Sequence, residues 1–502
     1  MWYSCSTLYR ILVNGPLSKI ALCIIPNELK MKIKILLFFA MLISVGAQAQ
    51  NKLYNIKNYG AVGDGRTNDA VAIQKTIDAC AAAGGGQVIV PAGYVFLTGP
   101  FNLKSFIDLR VEGGAKLLAS PDEKLYTRSA FRENKGEGTI WIGGEKLEQV
   151  SISGTGVIDG NGISFMGEEL SDSYVLKPFN VVDPRPHLLT LIGCNKLSID
   201  GVTFQNSAYW TVHLVGCNDV SISNITLLNS IKIRNSDGID LDHSKNVRIT
   251  NCFIESGDDC ICLKNRREFE EYGACENIVI SNCTMTSSSC AIKIGSENMD
   301  RISNVLINNC NIRKSNRGIG IQNRDEGTVN NVIFSNLFIE SKLFSDVWWG
   351  KAEPIYITAY PRATSNNKDA GWRLPKGETK GKVGAVKNIY FSNIRCTGES
   401  GVYISGEGPD KISEIYFDQV SVYLDKTTKE EGGVYDRRPS NVEGLVKSAI
   451  AGFYFENTGY ISVLNSNVVW GVNKPGYAGK AIEQKNVSKL KAVNFNETTV
   501  EK

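Results

Sequence analysis

Two short stretches concentrate groups able to move protons. Ser256 to Lys264 reads SGDDCICLK and sets Asp258 beside Asp259. Asn235 to Asp242 reads NSDGIDLD and supplies Asp237, twenty-one residues before Asp258. Adjacent carboxylates that lose water cannot both ionise cheaply, so one pKa is pushed up. Carboxyls with separated pKa values are what general acid–base catalysis needs: one gives a proton while another stays ionised to take one. The competing reading is a set of turns in which Asp bonds backbone amides. Turns account for one Asp per loop, but poorly for three that converge.

Whether they converge depends on the elements that carry them. The chain repeats a short motif: CNKLSIDGVTFQNS, CNDVSISNITLLNS, SKNVRITNCFIESG, CENIVISNCTMTSS, ISNVLINNCNIRKS, VNNVIFSNLFIESK, VKNIYFSNIRCTGE and ISEIYFDQVSVYLD. The pivot residues Leu197, Val220, Val247, Ile278, Val305, Val332, Ile389 and Ile415 are spaced by 23, 27, 31, 27, 27, 57 and 26. Units this short, alternating apolar and polar residues at strand period, leave no room for crossover helices. The expected fold is all-β, a right-handed parallel β-helix forming one domain over residues 50–502. Asn224, Asn251, Asn282, Asn309, Asn336 and Asn393 share one repeat position and suit a left-handed turn with stacked amides. Cys252, Cys283 and Cys310, and a second set of Cys194, Cys217 and Cys275, are expected as inward stacks of free thiols. NDAVAIQKTIDACAAAGGG predicts a helix, with Asn68 as cap and Gly84 as stop, covering the N-terminal end of the solenoid. Residues near 343–385, rich in aromatics, Pro and Gly, read as an insertion above one face.

Registering the strands on Ile239/Leu241, Ile261/Leu263, Ile292/Ile294 and Ile319/Ile321 stacks Asp237, Asp259, Cys290 and Arg317 in one column. Asp258 then stands beside Asp259, and three carboxylates meet at one strand edge. Lys293 falls in the same outward column as Gly320. Each of Lys293 and Arg317 reads equally as a substrate contact or a solvated surface cation. Trp210, Trp348, Trp349 and Tyr360 offer faces for sugar stacking, against packing in core or loops. His243 reads as structural.

At these residues the chain resembles glycoside hydrolase family 28, the polygalacturonase-like pectin hydrolases. The resemblance runs from NYGAVGDGRTNDAVAIQKTIDAC through RPHLLTLIGCNKLSIDGVTFQNSAYWTVHLVGC to the Asp motifs, over most of residues 55–425. The family's Asn-Thr-Asp motif matches Asn235-Ser236-Asp237, and its Gly-Asp-Asp motif matches Gly257-Asp258-Asp259. The resemblance implies Asp258 as general acid, with Asp237 and Asp259 holding and deprotonating the attacking water in an inverting reaction. Acid and base carboxyls roughly 6.5–9.5 Å apart are then expected. The family's Gly-His-Gly falls on Ser289-Cys290-Ala291, and its Arg-Ile-Lys on Gly320-Ile321-Gln322. The uronate-gripping cations of polygalacturonases are therefore replaced, and poor activity on unsubstituted polygalacturonate is expected. Candidate substrate contacts are Asn235, Lys264, Lys293, Arg317, Gln322 and Trp348, with no cofactor and no metal.

Net charge is +3, and the first 50 residues carry a surplus of +4, so the remainder is near −1. Bulk attraction to nucleic acid is not expected. Residues 31–49 read as a secretory signal: Lys32 and Lys34, an apolar run from Ile35 to Val45, and Ala47-Gln48-Ala49 as the cleavage site. Residues 1–30 read as an upstream extension. The mature chain is expected to be exported to the periplasm or the outside, without a membrane span and as a monomer. Two other readings remain open at this stage. One is a polysaccharide lyase using Ca²⁺ held by Asp240, Asp242 and the Asp cluster. The other is a glycan-binding protein without turnover.

Overall fold

The computed structural model describes residues 52–169, 179–181, 183–362 and 374–501. The expected signal segment lies outside them. Thirty-five strands join in one sheet whose pairings are parallel, each strand bonded to its counterpart in the next coil. This is the parallel β-helix read from the repeat. Among the described residues no helix is long and apolar enough to cross a membrane.

Seven strands form the face that matters for function: β1 (Val212–Val215), β2 (Ile239–Asp242), β3 (Ile261–Asn265), β4 (Cys290–Asn298), β5 (Arg317–Asn323), β6 (Ile355–Ala359) and β7 (Val402–Gly406). Their register follows the apolar pairs. Ile239 lies opposite Ile261, Ile261 opposite Ile292, and Ile292 opposite Ile319. All four side chains are fully buried. Each such side chain contributes about 1.5–3 kcal/mol by burial. A one-residue slip would expose the whole column, which is what pins the register.

The Asn ladder forms as expected. All six residues have φ between 51° and 57°. Asn251 donates to Asn224, Asn336 to Asn309 and Asn393 to Asn336 at 2.8–3.3 Å. A second ladder escaped the sequence reading: Asn218, Asn246, Asn277, Asn304 and Asn331 each donate to the equivalent residue of the previous coil. Eleven cysteines are buried and free, including both expected sets. One detail differs. Asn218 bonds the Cys194 carbonyl, Lys245 that of Cys217 and Glu276 that of Ser244, so Ser244 stands between Cys217 and Cys275. The Ser244 hydroxyl accepts from the Cys217 N–H and donates to the Leu214 carbonyl.

Helix α1 (Ala70–Ala82) buries Ile73, Ile77 and Cys80 in the main core. Its N-cap residue is Asp69 rather than Asn68. Asp69 turns its carboxylate back to the Val62 and Gly63 N–H groups, while Asn68 accepts from Ala70. The region 343–385 is not one insertion. It contains β6, which pairs with β5 and β7 as part of the solenoid. Val332 lies directly opposite Ile389, so the spacing of 57 is one coil lengthened by loops on either side of β6.

Candidate active site

The three carboxylates come together. Register puts Asp237 and Asp259 in adjacent coils, with the Gly238 N–H bonded to the Asp259 carbonyl at 2.8 Å. Glycine is required beside each Asp. A Cβ on Gly238 would lie 2.3 Å from the Cys260 carbonyl oxygen, and one on Gly257 2.2 Å from that of Ile233. Ser236 fastens the two loops: its Oγ donates to the Ile233 carbonyl at 2.7 Å and accepts from Gly257 at 3.1 Å. Asn235 adopts φ 62°, and its N–H donates to Asp258 Oδ2 at 3.0 Å. Its side-chain oxygen accepts from Arg185, so Asn235 positions Asp258 through its backbone.

Each carboxylate offers one oxygen within 4.8 Å of the other two. That is tighter than the 6.5–9.5 Å expected for an inverting pair. Coil stacking is the reason, since neighbouring strands are only ~4.8 Å apart. A water can bond two oxygens at this separation. Asp237 and Asp259 are buried, and Asp258 is half-buried. Burial first, then the charges of Asp240, Asp258 and Asp259, hold Asp237 well above the usual carboxylate range. Burial and then Asp259 push Asp258 up; Lys293, the Asn235 N–H and Ser289 moderate the shift. One oxygen of Asp237 has no hydrogen-bond partner.

The expected cations are present but already engaged. Lys293 Nζ lies 2.8 Å from Asp259 Oδ2. Lys264 Nζ lies 2.7 Å from Asp240 Oδ1 and 3.6 Å from the centre of a Trp210 ring. Burial pushes Asp240 up to about 7, against the opposing pull of Lys264. Asp240 and Asp242, which the lyase reading required as calcium ligands, are thus tied elsewhere: Asp242 accepts from the Arg266 N–H and faces His213 and His243. Arg317 is 3% exposed, pairs with Glu353 at 3.1 Å and donates to the Asp436 carbonyl at 2.7 Å.

A pocket abuts Asp259, lined by Ser289, Cys290, Lys293, Gly320, Gln322 and Trp349, with Arg317 at its back. The Ser289 hydroxyl donates to Asp259 Oδ1 at 3.1 Å. The two departures from the family motifs explain each other here. A Cβ on Gly320 would lie 2.9 Å from Cys290 Sγ, so the thiol occupies the space a side chain at 320 would need. Among the aromatic candidates Trp348, Trp210 and Tyr360 are buried, while Trp349 is 44% exposed and lines the pocket. Sequence reasoning favoured Trp348 over its neighbour, because adjacent identical residues in a loop carry no periodicity. His243 bonds the Arg266 and Gly273 carbonyls, the structural role expected of it.

The Glycosyl hydrolases family 28 model matches residues 80–435. A probable polygalacturonase of Vitis vinifera is 33% identical over 265 residues, covering 48% of this chain and 51% of the relative. The chain spans about half the length of the curated relatives it matches. Two solved structures share the fold. A hyperthermoactive exopolygalacturonase from Thermotoga maritima superposes with TM-score 0.59 at 22% identity, covering 75% of this chain and 88% of that one. A family 28 exopolygalacturonase from Yersinia enterocolitica gives 0.60 at 16%, covering 90% and 78%. The family match spans most of the solenoid, with all three carboxylates inside it, and the chain belongs to glycosyl hydrolase family 28.

Proposed function

We propose that the protein is an exported, monomeric, inverting glycoside hydrolase acting on pectin-type glycans. The observation that carries this reading is the trio itself: a half-buried Asp258 with a raised pKa beside the buried Asp237 and Asp259. In the reaction Asp258 gives its proton to the glycosidic oxygen as the bond to the anomeric carbon breaks. A water held between Asp237 and Asp259 adds its oxygen to that carbon and releases its proton to the carboxylates. Lys293 supplies the counter-charge of Asp259 through this step. Export rests on the basic and apolar segment with its Ala-Gln-Ala site, and the pectic substrate on the family and its polygalacturonase relatives.

The test is a panel of pectic oligosaccharides with product analysis and NMR of fresh product. Hydrolysis with inversion is expected, unaffected by chelator. An unsaturated product absorbing in the ultraviolet would establish a lyase instead. Retention of configuration would overturn the assigned roles, and tight binding without turnover would overturn hydrolysis altogether.

A further inference from the structure

The outward residues of β1–β6 form a column: His213, Asp240, Cys262, Lys293, Gly320 and Tyr356. Lys293 alone among these six is not fully buried. On the His213 side, Phe131 packs edge-on against His187 and Trp210, and Arg266 lies 4.0 Å over its ring. On the Tyr356 side stands the hairpin of β8 (Val434–Asp436) and β9 (Leu445–Lys447). It is fastened to the floor. The Asp436 carbonyl accepts from Arg317 and from the Tyr356 hydroxyl, at 2.7 and 2.8 Å. The Arg438 carbonyl accepts from Gln322 Nε2 at 3.4 Å. The Trp349 loop joins this wall, because Gly350 N–H donates to Asp436 Oδ2 and Arg438 to the Trp348 carbonyl. What stays open beyond the Asp cluster is a recess over the coils of Cys290 and Arg317, about 5 Å apart.

The chemistry of this recess is not that of an anion site. Both cations lining it, Lys293 and Arg317, are matched by Asp259 and Glu353. Gln322 is 3% exposed, and its Oε1 has no hydrogen-bond partner. A buried acceptor left unpaired costs about 1–3 kcal/mol and is satisfied by a donor such as a sugar hydroxyl. A carboxylate brings only acceptors. Trp349 adds an aromatic face suited to a pyranose ring. A cation with no carboxylate partner among the described residues, Arg234, stands one coil before Asp259 and so on the other side of the reacting centre.

We infer that this recess is a blind terminal subsite that takes one uncharged sugar unit, a neutral pyranose or an esterified uronate. The enzyme then works from a chain end and releases that single unit. The inference rests on the hydrolase reading and deepens it.

Three trisaccharide probes test it: galacturonotriose, the same chain with a methyl-esterified terminal unit, and the same chain ending in galactose, each in both orientations. With the full chain, the esterified or neutral terminus is expected to give a kcat/KM at least about tenfold above the free acid. The first product is expected to be that single sugar. Preference for the free-acid terminus, or first products longer than one unit, overturns the inference. Calorimetry with the Asp258→Asn variant measures the same ranking without turnover, and an equal or inverted ranking there also overturns it. A preserved ranking with no turnover by the wild type leaves the subsite standing and removes the hydrolase reading instead. Gln322→Lys, which places an unmatched cation in the recess, is expected to shift the preference toward the free acid. No shift in a folded variant counts against the subsite.

Discussion

Lys293 Nζ sits 2.8 Å from Asp259 Oδ2, one coil away, so the cation nearest the catalytic cluster is held by the cluster itself. The charges of Asp259 and Asp258 raise the pKa of Lys293 against the cost of its burial. Removing one partner of a buried pair leaves the other uncompensated, at about 3–5 kcal/mol. Lys293→Met is therefore expected to lose both stability and activity. The Lys293→Met, Asp259→Asn double variant is expected to recover much of the stability and none of the activity. Urea denaturation of both variants alongside turnover assays checks this, and additive losses in stability would refute the coupling.

Asp258→Asn removes the proton donor while keeping the side-chain shape and the bond from Asn235. Turnover is expected to fall by about 10²–10⁴-fold with an unchanged circular dichroism spectrum. Near-normal turnover on an identified substrate would displace Asp258 from the acid role.

Asp237 has its pKa raised by burial and then by its acidic neighbours. Its native form binds a proton that the unfolded chain has lost, so its contribution to stability falls as pH rises above the ordinary Asp value. Asp237→Asn removes that penalty. The variant is expected to be inactive yet to melt higher than wild type at pH 7, with a gain that shrinks toward zero near pH 4. Melting curves across that range check the sign, and a lower melting temperature at pH 7 would contradict it.

Arg317 holds β5 to Glu353 and to the β8–β9 hairpin. Arg317→Ala is expected to destabilise the fold by about 3–5 kcal/mol and to expose residues 434–447 to protease. Limited proteolysis with mass mapping reads the second effect. An Arg317→Ala variant with wild-type stability and raised KM would restore Arg317 as a direct substrate contact.

The eleven buried cysteines form no disulfide. None is expected to react with a thiol reagent in the folded protein, and all eleven to react once it is unfolded. A missing pair after unfolding would reveal a bridge.

The sequence by itself determined the coil, its register and the meeting of Asp237, Asp258 and Asp259. In a solenoid these are local properties. Strand period fixes which residues face inward, the repeat length fixes which coils touch, and identical neighbours such as the Asn ladder check the alignment. The sequence also showed which family residues are absent at Cys290, Gly320 and Gln322. Only the tertiary structure decided what those changes do. The Cys290 thiol fills the space beside Gly320, and Arg317 turns to Glu353. Trp349 rather than Trp348 lines the pocket, and the hairpin of residues 434–447 closes the groove. These contacts join residues from 36 to 119 positions apart through loops that carry no period. Their partners are chosen by charge and shape in space, which a repeat pattern does not encode.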